Sequence, residues 1–224
     1  MKVKICGLTN REDAVWALND GAQFIGIDFR RRSPRRVTSD EARDWVPALP
    51  TFAAVVGLFD EERPKEIARV AAEMNLKGVQ LHGPQTPQRL KAIRKALTEA
   101  ECPPFVTLAL AAPGPETIDD IPRWGNAIDY VLLYDPFEAK PGRSPRPFDW
   151  ALALAAAAHG KPVFLGGGLT VENLGEAATA GRPYALDVTA GIEKSTRHKH
   201  PAKMRAFLVA ALATKPRILP SSRP

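Results

Sequence analysis

Cysteine, histidine and long apolar runs are all scarce in this chain. Cys6 and Cys102 are the two cysteines among 224 residues, and no Cys-x-x-Cys pair occurs. A disulfide framework is therefore excluded as the source of the fold. The four histidines are His82, His159, His198 and His200. No further Cys or His stands at ligand spacing from His198 and His200, so no metal site is expected. No apolar run approaches the roughly 18 residues that cross a membrane. The first ten residues, MKVKICGLTN, lack the apolar stretch of a secretory signal. The expected protein is cytoplasmic and free of membrane. No Gly/Ser-rich linker divides the chain, which argues for one domain over residues 1–214. The tail 215–224, with three prolines, is expected to fray.

What is present is ordinary globular stock, 45% hydrophobic and 25% charged residues. At this length a sizeable core needs no disulfide or metal support. The net charge of +6 is concentrated. Residues 30–36 read RRRSPRR, and removing those five arginines leaves 26 basic against 25 acidic residues. A second basic stretch covers 194–205. Localised positive potential of this kind steers small anions. The Arg run has no interleaved aromatics, which argues against nucleic acid as a partner.

Apolar or β-branched runs recur at 3–6, 24–29, 52–59, 78–81, 105–110, 130–134, 162–165 and 184–188. Between them lie segments with helical spacing at 11–20, 40–48, 64–75, 87–100, 149–159, 171–180 and 201–213, and a weaker one at 115–124. Continuous apolar strands alternating with amphipathic helices predict a parallel sheet covered by helices. Eight units predict a single α/β domain, a (β/α)8 TIM barrel; a doubly wound open sheet is the structural alternative. Local signals agree. Thr9 or Asn10 is placed to cap the first helix, and Ser39 or Asp40 the second. Pro64 and Pro87 suit a first helical turn, and Gly21, Gly160 and Gly181 suit helix ends.

In such a barrel the site lies at the C-terminal ends of the strands. The runs end in Cys6-Gly7, in the Arg-rich loop with Arg35, in Leu81-His82-Gly83, in Asp135-Pro136, in Gly166-Gly167-Gly168, and in Asp187 before Thr189-Ala190-Gly191. The glycine run followed by Thr170 as a helix cap, together with the small-residue loop 189–191, predicts a phosphate cradle of backbone N–H groups. A tight turn is the plain alternative. At Cys6 nucleophile and general base both remain open, beside a buried structural thiol. Asp135 reads as a functional carboxylate or a turn cap. Asp187 is placed to orient backbone N–H groups, and His82 is a site residue or a satisfied polar group. Cys102, before two prolines, reads as structural.

VKICGLTN at 3–10, SPR at 33–35, VQLHG at 79–83, FDW at 148–150, GGLTVEN at 167–173 and LDVTAGIE at 186–193 resemble the phosphoribosylanthranilate isomerase family. The matches fall in order across residues 3–193. The resemblance implies an Amadori rearrangement in tryptophan biosynthesis. N-(5-phosphoribosyl)anthranilate becomes 1-(2-carboxyphenylamino)-1-deoxyribulose 5-phosphate, without metal or organic cofactor. It implies Cys6 as general base and Asp135 as general acid. Arg35 would bind the anthranilate carboxylate, with Arg30, Arg31 and Arg32 mainly steering. The implied partner is a small phosphosugar, and the implied state is a monomer or homodimer. His82 and Asp187 would bind substrate, and Gly167, Gly168, Thr189, Ala190 and Gly191 its phosphate.

The chain departs from the family pattern at four places. The glycine-rich stretch usual before FDW is replaced by residues 141–147 with three prolines, which predicts a stiffer sixth loop. Asp28 is unexpected in IDFRRR. Residues 195–200 replace a usual Gly-x-Lys-Asp, and Thr189-Ala190 stands where two serines are common. The sister isomerase of histidine biosynthesis has Asp where Cys6 stands, so Cys6 discriminates against it. A non-catalytic or altered-substrate paralogue is the remaining rival.

Overall fold

The computed structural model describes residues 1–101, 103–112, 114–135 and 149–214. The proline loop at 141–147, Cys102 and the 215–224 tail lie outside the described residues.

Eight parallel strands close into a barrel in sequence order, with the first pairing the last. They are β1 (Lys2–Ile5), β2 (Phe24–Asp28), β3 (Ala54–Phe59), β4 (Gly78–Leu81), β5 (Phe105–Ala111), β6 (Tyr130–Tyr134), β7 (Val163–Gly166) and β8 (Ala185–Val188). The connecting helices are α1 (Arg11–Asn19), α2 (Ser39–Arg43), α3 (Pro64–Glu73), α4 (Pro87–Glu99), the short α5 (Glu116–Asp119) and α6 (Ile121–Trp124), α7 (Ala151–Ala157) and α8 (Leu174–Gly181). A two-stranded antiparallel hairpin, β9 (Glu193–Ser195) and β10 (His198–Lys199), precedes the last helix, α9 (Pro201–Ala213). Nothing in the residue pattern but a basic stretch marks that hairpin. Among the described residues no helix is long and apolar enough to cross a membrane.

Strand alternation makes two cores. Val3 and Ile5 of β1 face the helices and join the large outer core with Val79, Leu81, Val131 and Leu133. Cys6, Phe24, Val56, Leu58, Ala109, Leu132, Phe164 and Ala185 fill the barrel interior. Alternation along β1 turns Lys4 the same way as Cys6. At the N-terminal end, Phe24, Phe105, Tyr130, Phe164 and Tyr184 form a floor of edge-to-face and tilted rings, 5.1–6.3 Å between centroids. That floor packs the N-terminal end of the barrel interior.

Three local expectations change. Asn10 caps α1, accepting from the Asp13 N–H at 2.8 Å. The cap of α2, however, is Thr38, which forms a reciprocal capping box with Glu41 and leaves Ser39 as the first helical residue. Gly181 is the last residue inside α8, and Arg182 takes the left-handed conformation expected of a glycine there. Gly181 is needed for packing instead, because a Cβ would press on the Trp150 carbonyl at 2.8 Å. Thr170 caps no helix either. Five residues separate Gly168 from α8, and Asn173 is the flanking residue.

Candidate active site

A cavity of about 790 Å³, the solvent at its open mouth included, lies at the C-terminal end of the barrel. Its lining includes Cys6, Arg35, His82, Asp135 and Asp187, together with the 166–169 and 189–191 loops. All ten residues that the sequence singled out as site candidates therefore come together, from six of the eight strand ends.

The β7 and β8 loops are shaped by close backbone approach. Gly167 has φ of +79°, and a Cβ there would overlap the backbone nitrogen of Asp135. A Cβ on Gly191 would overlap the Leu169 carbonyl, so the two loops lie against each other only because this position is bare. Asn173 folds the β7 loop from inside. Its side-chain oxygen accepts from the Thr170 N–H at 2.8 Å and its amide donates to the Gly168 carbonyl at 2.9 Å. After β8, Ala190–Ile192 form one turn of 3-10 helix. Gly167 and Gly168 both take positive φ, and with the 3-10 turn after β8 they line the cavity.

Cys6 is 4% exposed, and the nearest charge is the ammonium of Lys4. Lys4 Nζ donates to Cys6 Sγ at 3.0 Å and to Asp187 Oδ2 at 3.0 Å. Burial pushes the Cys6 thiol up, and Lys4 pulls against it without fully compensating. Burial alone would lower the Lys4 ammonium, but Asp187 and Cys6 outweigh that and raise it. Asp187 Oδ1 is buried without a partner. The role expected of Asp187, ordering backbone N–H groups, gives way to this pairing with Lys4.

His82 is held neutral, its pKa driven well below the ordinary value by burial and then by the charges of Arg30 and Lys4. Its Nε2 faces the Gln80 amide nitrogen at 2.8 Å. An amide nitrogen only donates, so that pairing puts the ring proton on Nδ1, which is buried and without a partner. Tyr134 packs edge-on against the ring.

The Arg-rich loop divides into two kinds of residue. Arg35 is 6% exposed and grips Glu193 with both arms of its fork, Nε to Oε1 at 2.8 Å and Nη2 to Oε2 at 2.7 Å. Lys199 Nζ reaches the same carboxylate at 3.1 Å and the Thr189 carbonyl at 3.1 Å. Burial alone would raise Glu193, but Arg35 and Lys199 prevail and lower it. Arg30 was expected to steer, yet it lines the cavity and is clamped by Asp28 in the same two-armed manner, at 2.9 and 2.7 Å. Ser33 Oγ completes the hold on Asp28 at 2.6 Å. Arg31 and Arg32 are exposed.

Sequence reading missed Lys4, Gln80, Asn173, Glu193 and Lys199. A period-2 count back from Cys6 and from His82 would have found the first two. Asp28 stood out only as an oddity. Its partner Arg30 lies two residues on, a spacing that carries no pairing signal outside a regular element.

A closed barrel that gathers a thiol, two carboxylates and bare backbone loops at its C-terminal mouth belongs to the class of barrel enzymes acting on small phosphorylated substrates. Comparison with known proteins narrows the class. The family model for N-(5'-phosphoribosyl)anthranilate (PRA) isomerase matches residues 3–210. The enzyme of that name from Trichlorobacter lovleyi is 37% identical over 209 residues, covering 93% of this chain and 96% of the relative. The phosphoribosyl anthranilate isomerase structure from Thermus thermophilus superposes with a TM-score of 0.81 at 32% identity, covering 96% and 100% of the two chains. A second structure of the isomerase, in complex with reduced 1-(o-carboxyphenylamino)-1-deoxyribulose 5-phosphate, gives 0.81 at 30% identity, covering 95% and 99%. The chain belongs to the N-(5'-phosphoribosyl)anthranilate isomerase family, whose members are isomerases of tryptophan biosynthesis.

Proposed function

We propose that this cavity carries out the Amadori rearrangement of N-(5-phosphoribosyl)anthranilate with Cys6 as general base and Asp135 as general acid. The observation that carries the assignment is that a thiol from β1 and a carboxylate from β6 open onto one cavity whose rim is the Gly167/Gly191 cradle. Asp135 protonates the furanose oxygen, and the anilinic nitrogen pushes the ring open to a Schiff base. Cys6 then takes the C2′ proton, giving an enolamine that tautomerises to the ketone. One group gives a proton and the other receives one, each transfer being worth about 10²–10⁴-fold.

The phosphate sits on the backbone of Gly167, Gly168, Thr189, Ala190 and Gly191. Backbone donors explain why Thr-Ala serves where two serines are common. Arg35, held flat by Glu193, takes the anthranilate carboxylate, which a planar guanidinium suits. His82 Nδ1–H and Asp187 Oδ1 supply a donor and an acceptor to the substrate's polar groups. Residues 1–214 act as one catalytic domain in the cytoplasm, as monomer or homodimer, on a small phosphosugar rather than nucleic acid. A dimeric relative from Thermotoga maritima, at 29% identity, supports a homodimer as one of the two states.

The test follows the fluorescence of phosphoribosylanthranilate as it is consumed. Cys6→Ala and Asp135→Asn should each lower kcat by at least about 10²-fold while still binding a product analogue. Near-normal turnover in either variant removes that residue from the mechanism.

A further inference from the structure

Lys4 has no place in the acid/base scheme above, yet it is among the most deeply buried side chains of the protein, 1% exposed inside the barrel. A lysine is rarely taken fully out of water unless its charge is used or paired. Here it stands between Cys6 Sγ and Asp187 Oδ2, 3.0 Å from each. The strand register fixes this arrangement, since Lys4 is the direct neighbour of Asp187 across the β1–β8 seam. Cys6 follows two residues later on the same face of β1. No side-chain flexibility is needed to bring the three together.

We infer that Lys4 is a positioning residue for the isomerase reaction, an ammonium locked on Asp187 that eases formation of the Cys6 thiolate, the form able to receive the C2′ proton. The inference rests on Cys6 being the base. It assigns Asp187 two jobs, one per oxygen. Oδ2 keeps Lys4 charged and aimed, and Oδ1, buried and unpartnered, is left for the substrate.

The charges around Cys6 show why a fixed cation is needed. From β8 comes the carboxylate of Asp187, and from β2 that of Asp28; both disfavour a thiolate, as does burial. Gly26 of β2 packs its backbone against Sγ, excluding water from that side. Arg30 sits on Asp28 and Arg35 on Glu193, so both guanidiniums are already matched by carboxylates. Lys199, the next buried cation, also interacts with Cys6 but is bound to Glu193. Lys4 alone among these cations donates directly to the sulfur. An ammonium at hydrogen-bond distance in a site shielded from water is a strong means of favouring a thiolate. On transfer the balance closes locally. Sγ gains the substrate proton, becomes neutral, and Lys4 keeps its charge against Asp187.

The experiment reads Cys6 directly, in a Cys102→Ser background so that one thiol reports. The rate of alkylation by iodoacetamide and the ultraviolet thiolate absorbance are followed against pH in the free enzyme. With Lys4→Met the midpoint should move to higher pH by about one unit or more, which is about tenfold slower alkylation on the acid side. Turnover should fall chiefly in kcat, with KM less affected, and recover as pH is raised. Lys4→Arg should lie nearer the parent in both midpoint and kcat. A folded Lys4→Met enzyme with an unmoved midpoint overturns the inference, whatever happens to turnover. If Lys4→Met fails to fold, Lys4→Gln, which keeps a neutral donor facing both groups, is measured in the same way and decides it. Cys6→Ser turnover separately tests whether Cys6 is the base, so failure there and failure of the Lys4 midpoint are distinguishable.

Discussion

Glu193 shows how one residue can hold a site together without touching the reaction. Its carboxylate carries the buried Arg35 and Lys199, and its own side chain is 6% exposed. Removing the anion of such a cluster takes the shared carboxylate from two cations, so Glu193→Gln should cost about 3–5 kcal/mol. The folded pKa of Glu193 is depressed, so its contribution is present at neutral pH and lost as pH falls through that lowered value. Urea midpoints against pH should therefore be lower for the variant at neutrality and converge with the parent in acid. A parallel offset at all pH values would show that the charge is not what Glu193 supplies. Cys6 sets a different pH dependence. Its thiol is raised, so on the Cys6 side kcat/KM should climb with pH toward the alkaline range.

At the scale of elements, the site depends on two loops that were legible in the sequence only in outline. The glycines after β7 and the small residues after β8 announced a cradle. That Gly191 faces the Leu169 carbonyl, and Gly167 the backbone of Asp135, follows from how adjacent strands end. Gly191→Ala should force the loops apart, costing about 1–3 kcal/mol as overpacking does and raising KM for the phosphorylated substrate. An unchanged KM would mean that the cradle does not carry the phosphate. The cap of α2 teaches a smaller lesson. Thr38, Ser39 and Asp40 are all good caps, and the choice falls to Thr38 because Glu41 stands three residues later and closes the box. That signal was in the sequence. The αL turn at Arg182 was not, because Gly181 beside it is claimed by contact with Trp150.

For the whole molecule, the excess charge sits on one loop at the mouth of the barrel, where a field can act on an approaching dianion. Exposed Arg31 and Arg32 belong to that field, whereas Arg30 is fixed on Asp28 at the cavity wall. Screening acts over about 10 Å at 0.1 M salt. Neutralising Arg31 and Arg32 together should therefore lower kcat/KM at low ionic strength and matter little at high. Arg30→Met should raise KM at both. Salt profiles of steady-state kinetics separate the two, and identical profiles would dissolve the distinction.

The sequence by itself determined the barrel, because eight apolar runs alternating with amphipathic segments leave a parallel sheet few other ways to bury both faces. It also determined which strand ends bear chemistry, since a parallel barrel presents all its C-terminal ends at one mouth. What only the tertiary structure decided is who pairs with whom. Lys4 meets Asp187 across 183 residues of chain, and Arg35 meets Glu193 across 158. Such partners are set by strand register and loop closure, which no local pattern encodes. The electrostatic state of Cys6, Lys4 and His82 is likewise a property of the closed interior, where burial and a few fixed charges outweigh what each side chain would do in water.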